Sequence, residues 1–449
     1  MAGKFGQPER KQRFQMRTFE GPRAALQVLL LASLAAMTGC GEHTAKPSPV
    51  NSGPASTANP TESDGLPSAE QGDPDALPDG DPLDPDPLPN ADQTQASDVP
   101  ATSRAFLNFP EQAADAAQSP ALLSQTGAFT DVAGLQAAEG LIPYGVQTPL
   151  WSDAAHKRRW LSLPEGGKIG FSATGQWSFP EGTVFVKDFA MALDESHPDE
   201  VRHLETRFWI AARGGEFYGA VYRWDEDQQD ARLLLDGATE ELSILGSDGT
   251  PRSQTYAYPS TASCRTCHSA AAGPVRGVRT VQLNGDFDYG AARGSTAAIG
   301  GLGAGSDAVP ANQLAALDGL GLFQAPIGDP AQYDHLSPIG DESAPLEDRV
   351  RSYWDSNCSM CHYGTGSPSW DARYQTPFAE QKLLMAVPMS GPGPDDLRLI
   401  LPQEPDRSYL FLRVNSATPG VRMPPILRNR VDEAYVEVLR RWILSLEKQ

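Results

Sequence analysis

A Cys-x-x-Cys-His run occurs twice in this chain, as Cys264-Arg265-Thr266-Cys267-His268 and as Cys358-Ser359-Met360-Cys361-His362. In each copy two thiols stand one helical turn apart and an imidazole follows directly. That spacing lets both sulfurs add across the vinyl groups of a haem while the histidine takes the iron. Two covalent haem c groups are therefore expected, held by Cys264, Cys267, His268, Cys358, Cys361 and His362, with iron on His268 and His362. A zinc site fits poorly, because Cys264 and Cys358 lie 94 positions apart, beyond zinc-ribbon spacing. A thioredoxin-like role would want a βαβ setting that the flanking sequence lacks.

The fifth cysteine, Cys40, belongs to another feature. Residues 24–39 form an apolar run of secretory length preceded by Lys11, Arg13, Arg17 and Arg23. It ends in Met37-Thr38-Gly39-Cys40, which resembles a bacterial lipobox, so residues 1–39 read as a lipoprotein signal peptide and Cys40 as the lipidated residue; translation starting at Met16 would shorten a long basic leader. Residues 40–100 read as a disordered tether. Between 41 and 100 there are twelve Asp/Glu, twelve Pro and the single Lys46, too little apolar surface to offset the conformational entropy of folding. The interleaved prolines exclude an EF-hand and favour extended polyproline II. A formal net charge of -21 without a Lys/Arg cluster in the body argues against a nucleic-acid partner.

Residues 101–260 alternate in the manner of short strands, at Thr183–Asp188, His203–Ile210, Glu216–Trp224, Arg232–Leu235 and Gln254–Tyr258. Gly214-Gly215 predicts a hairpin between two of them. The expected fold class is multidomain, with an antiparallel β-rich, sandwich-like domain followed by a mainly α cytochrome c-type haem domain. Residues 261–345 form a first haem-binding segment. Within it the glycine-rich run 290–305 lacks the Lys-Ser/Thr and βα context of a nucleotide loop, and Asn312–Leu322 has helical spacing.

From 346 to 449 the helical period is strong. Val350, Tyr353 and Trp354 share one face before the second motif, and Val431–Leu446 carries a matching stripe. A contact between Tyr353 and Trp442 is expected. Met423, followed by two prolines ahead of the last helix, is the expected sixth ligand of the second haem, with Pro368 supplying the carbonyl that orients His362. At the first site Pro274 is placed to orient His268. No methionine lies between Cys267 and Met360, so a sixth ligand would come from Met191, His203, His335, Met385 or Met389, or the position is open.

The chain resembles a family of largely uncharacterised exported bacterial di-haem c-type cytochromes from about Ile142 onward. The resemblance is carried by Tyr144-Gly145-Val146-Gln147-Thr148-Pro149-Leu150-Trp151-Ser152-Asp153, Phe179-Pro180-Glu181-Gly182-Thr183-Val184, Leu204-Glu205-Thr206-Arg207, Trp224-Asp225-Glu226-Asp227-Gln228 and both haem motifs. It implies electron transfer through two haems at the periplasmic side of the outer membrane or the cell surface, with a redox protein as partner; membrane attachment through Cys40 rests on this sequence alone. Two alternatives stay open: a haem-dependent oxidoreductase of the di-haem peroxidase kind working at an open first iron, and a β-domain that binds a ligand or carbohydrate with the haems as accessories.

Overall fold

The computed structural model describes residues 105–269, 272–289, 311–364, 370–388, 396–425 and 428–448. The signal peptide, Cys40, the tether, the glycine-rich run, Pro368 and Met389 lie outside them. Among the described residues no helix is long and apolar enough to cross a membrane.

The centre of the β-rich part is a six-stranded antiparallel sheet in the order β3-β4-β5-β6-β7-β8. Its strands are β3 (Ile142–Pro143), β4 (His156–Ser162), β5 (Val184–Ala192), β6 (Val201–Ala211), β7 (Phe217–Trp224) and β8 (Ala231–Leu233). Strand neighbours follow sequence order, as expected for a meander of hairpins. The turn expected at Gly214-Gly215 joins β6 to β7, and both glycines have positive φ, 81° and 75°, which costs a glycine little.

Period-two alternation divides the sheet's side chains between two cores. Val184, Val186, Phe208 and Ile210 point to one face and pack with Phe106, Phe109, Leu123 and the short pair β1 (Phe129–Asp131) and β2 (Gln136–Ala137). Leu161, Phe185 and Trp209 point to the other, against Val275, Val278 and Leu283 and against α3 (Gln313–Gly319) through Leu314 and Leu317. Asn312 caps α3 by accepting from the backbone N–H of Leu314 and Ala315. Further along the sheet, Phe189, Met191 and Leu204 meet the hairpin of β9 (Ala238–Leu245) and β10 (Pro251–Tyr258).

The segment from 346 on contains α4 (Leu346–Asn357), α5 (Tyr409–Val414) and α6 (Glu433–Ser445), with long irregular stretches between them. α4 crosses α6 as the apolar stripes predict, but the expected contact is staggered. Tyr353 stacks on Tyr435 with centroids 3.6 Å apart, and Trp354 meets Trp442 edge-on at 5.4 Å. Trp354 Nε1 donates to the Tyr435 hydroxyl at 2.8 Å, which satisfies both polar groups where neither reaches solvent.

Polar bonds lace this segment to the sheet. Asp153 is buried and accepts from the backbone N–H of Asn429 at 2.8 Å and of Arg430 at 2.8 Å. Trp151 Nε1 donates to the Arg430 carbonyl at 3.0 Å, and its backbone N–H to Asn357 Oδ1 at 2.7 Å. The buried Gln282, in α2 (Thr280–Leu283), donates to the Thr148 carbonyl at 2.9 Å and to Ser356 Oγ at 2.6 Å, and accepts from the Thr148 N–H at 3.1 Å.

Candidate functional site

The first Cys-x-x-Cys forms a single helical turn, α1 (Cys264–Cys267), closed by the His268 N–H donating to the Cys264 carbonyl at 3.0 Å. That turn places both thiols and the imidazole on the wall of one cavity that is open to solvent. The cavity lies against the face of the sheet that carries Phe185 and Trp209.

His268 is held from behind. Its Nδ1 lies 3.0 Å from the Pro274 carbonyl oxygen, which also accepts from Trp209 Nε1 at 2.8 Å. A carbonyl only accepts, so Nδ1 carries the proton and Nε2 keeps its lone pair. The Trp209 ring lies against the imidazole with centroids 4.4 Å apart. Burial pushes His268 down to about 4, with Lys187, Arg276 and Arg207 acting in the same direction and the Pro274 bond opposing them. The ring is therefore neutral at pH 7, the state a metal ligand needs. Proline at 274 was the residue the sequence indicated for this carbonyl.

Cys264 reaches its place because Gly219 on β7 has no side chain: a Cβ there would stand 2.9 Å from Cys264 Sγ. Burial holds the thiols of Cys264 and Cys267 above their ordinary range. Burial outweighs the opposing pull of Arg207 and Arg276, so neither thiol is in the thiolate-favouring state of a redox-active Cys-x-x-Cys. Among the described residues no group of three or more His, Cys, Asp or Glu side chains converges as a metal cluster would. The cavity's apolar walls, paired thiols and oriented imidazole suit the flat apolar macrocycle of a haem.

The second motif follows directly from α4, whose C-terminal Trp354 carbonyl accepts from the Cys358 N–H at 2.8 Å. Burial pushes Cys358 up to about 12. The His362 ring lies 4.8 Å from the Trp370 ring between centroids, and the His362 carbonyl accepts from the Ala372 N–H at 2.8 Å. Cys358 and the half-buried Met423 pack against the same apolar core of α4 and α6. The Met423 N–H donates to the Arg413 carbonyl at 3.0 Å, while Arg428 donates to the carbonyls of Met423 and Val414. The backbone around Met423 is thus held from both sides.

The two motifs adjoin. Arg276 donates to Ser359 Oγ at 2.9 Å, and its charge acts on both Cys267 and Cys361. Met360, inside the second motif, lines the first cavity together with Ser356.

The sixth-ligand candidates at the first site are placed elsewhere. Met191 packs under the β9–β10 hairpin beside Gln254. The His203 Nδ1 is 2.8 Å from Asp188 Oδ2, its ring lying against Trp224. His335 and Met385 are exposed. Strand pairing puts Met191 and His203 on β5 and β6 away from the cavity lining, and His335 and Met385 lie outside the helices and strands. The cavity wall instead presents four cations that sequence reasoning did not place there, Arg159, Lys187, Arg207 and Arg276.

Comparison of the chain with protein-family models, with curated proteins and with solved structures found no match.

Proposed function

We propose that the protein is an exported di-haem c-type cytochrome that passes electrons between two covalently attached haems and a redox partner protein. The observation that carries this reading is the first site: Cys264, Cys267 and a neutral His268 share one cavity, and Pro274 fixes the imidazole with Nε2 as its free lone pair. Haem supplies a one-electron couple when bound there. The chain's own residues orient the ligand, offer apolar wall at Phe185, Trp209 and Val275, and bring the second motif alongside through Arg276 and Ser359.

At the second site, His362 and Met423 are the proposed axial ligands, and residues 346–449 are the proposed cytochrome c-type unit. A thioether ligand stabilises ferrous iron relative to a second imidazole, so this haem is the higher-potential partner. Cys40 is the proposed lipid anchor on the periplasmic side of the outer membrane or the cell surface.

The test is a haem-stained denaturing gel of protein matured in a host that attaches haem c. Wild type should stain, Cys264→Ala/Cys267→Ala and Cys358→Ala/Cys361→Ala should each keep about half the stain, and the quadruple variant none. An unstained wild type removes the reading. A second reading, peroxidase-type chemistry at the first iron, is favoured by the placement of Met191, His203, His335 and Met385 away from the cavity. A carbon monoxide adduct on the ferrous protein separates it from pure electron transfer.

A further inference from the structure

One transverse row of the sheet holds a cation on each of three neighbouring strands. Arg159 on β4 pairs with Lys187 on β5, and Lys187 with Arg207 on β6. Residues paired in this way stand about 5 Å apart and share a face. All three line the cavity that contains Cys264, Cys267 and His268. Like charges directly opposite one another are destabilising on a sheet, and the cost rises where water is excluded.

Among the described residues only one of the three has a carboxylate partner. Arg207 donates through Nε to Glu205 Oε2 at 2.9 Å and through Nη2 to Glu205 Oε1. Arg159 makes a long contact, 3.4 Å, to the Lys157 carbonyl, and Lys187 lies over the Phe189 ring at 5.0 Å. Burial pushes the Lys187 ammonium well below its ordinary range, and Arg159, Lys157 and Arg207 push it further against the opposing pull of Glu205. The wall thus carries two basic side chains without a carboxylate partner among the described residues, positions whose charged form an incoming carboxylate would favour.

Their position along the row is ordered. Arg207 is the member whose charge acts on Cys264 and Cys267. Arg159 acts instead on Tyr144, two interstrand spacings away, or roughly 10 Å. The paired cation is at the thiol end, Lys187 stands in the middle of the row where its charge also acts on His268, and Arg159 is farthest from the thiols. A haem bound through its vinyl groups has its two propionate carboxylates on the opposite edge of the ring. Arg276 adds charge at the thiol end, but its guanidinium is taken up by the Ala272 carbonyl and Ser359 Oγ.

We propose that Arg159 and Lys187 form the seat for the two propionate carboxylates of the haem carried by Cys264 and Cys267. The inference rests on the haem reading of that motif. It assigns Arg159 and Lys187 as positioning residues that set the haem's tilt and raise its potential, since each carboxylate neutralised near the ring removes a charge that favours ferric iron.

The test uses the full chain with both haems attached, comparing wild type with Lys187→Gln, Arg159→Gln, the double variant and Lys187→Arg. Haem content by stain and pyridine haemochrome is read first; a wild type without haem defeats the haem reading and not the seat alone. With two haems retained, redox titration should show one midpoint unchanged. The other should fall, the ferrous-to-ferric ratio at fixed potential dropping about threefold in each Gln variant and about tenfold in the double variant, the latter equal to about 59 mV for one electron. The propionate bending bands in resonance Raman should shift with it, and Lys187→Arg should restore both. Unmoved midpoints and bands overturn the proposal. A low-spin to high-spin change in Lys187→Gln overturns it by making Lys187 an iron ligand. A wild-type midpoint that moves as acetate is raised at constant ionic strength overturns it by assigning the row to a free anion. Should a Gln variant lose haem, Lys187→Met and Arg159→Met give the same readout with the stem packing kept.

Discussion

Replacing Asp153 with Asn tests whether the second site is held together by the sheet. The Asp153 carboxylate accepts from the Asn429 N–H with both oxygens at 2.8 Å and from the Arg430 N–H at 2.8 Å, in a buried setting. Its φ of 51° is left-handed, a region that Asn enters readily and Ala does not. Asn therefore preserves the backbone and removes only charge and one acceptor. A hydrogen bond to a charged group contributes about 1.5–3 kcal/mol against about 0.5–1.5 for a neutral one, so two such bonds lose about 2 kcal/mol. Burial raises the Asp153 carboxyl against the pull of these N–H groups and of Arg428 and Arg422, so relief of that desolvation returns part of the loss. The expected destabilisation is about 1–2 kcal/mol for Asn and about 3–5 for Ala, which orphans both N–H groups and strains φ. Urea unfolding gives the stability, and hydrogen exchange at 428–432 locates it. An Asp153→Asn protein within about 0.5 kcal/mol of wild type, with unchanged exchange at Asn429 and Arg430, would refute the clamp.

Further expectations concern the thiol turn, the methionine loop, the hairpin and the helix crossing. Gly219→Val puts atoms where Cys264 Sγ stands at 2.9 Å from the first of them, and should abolish staining at the first site while leaving the second; equal staining of both would sink the close-approach argument. Met423→Ala should lower one midpoint or turn one haem high-spin, and unchanged spectra would remove Met423 from the ligand set. Burial raises Glu240, but bonds from Tyr258 and from Arg202, with the charges of Arg202 and Arg223, outweigh it and hold the carboxyl below its usual range. The folded-state value is thus depressed, and its contribution is fully present above the unfolded value of about 4.3 and lost as pH falls through the folded one. Glu240→Gln should therefore flatten the acid-side loss of stability below about pH 5, measured by urea midpoints from pH 6 to pH 3. Trp354→Phe removes the 2.8 Å bond to a buried Tyr435 hydroxyl and should cost about 2–3 kcal/mol; a loss under about 0.5 would show the bond to be neutral in net effect.

Much of this architecture is legible in the chain. Four of the five strands expected from alternation coincide with β5, β6, β8 and β10, and the fifth with β7, because each has one face against a core. The helices α4 and α6 follow their stripes, and Pro274 sits where its carbonyl was needed. What escaped has physical causes. β4 reads His156-Lys157-Arg158-Arg159-Trp160-Leu161-Ser162, and four polar residues in succession conceal a strand that brings Arg159 to the cavity wall. The cation row exists only through register, which pairs residues 28 and 20 positions apart and leaves no local signal. The helical reading of 346–449 extended two clear stripes to the whole segment, whereas the loops between α4 and α6 are held by side-chain bonds to carbonyls, as at Arg428, which periodicity does not report.

The Gln282 amide has a consequence for motion. It spends two N–H bonds and one carbonyl bond on the Thr148 backbone and Ser356, all within 3.1 Å, so three distant parts of the chain meet at one planar group with no spare rotamer. A hinge between them would have to break all three bonds together in a buried place. The segment around Thr148, α2 and the end of α4 would accordingly move as one piece, and any group carried just beyond α4 would keep its place relative to α2.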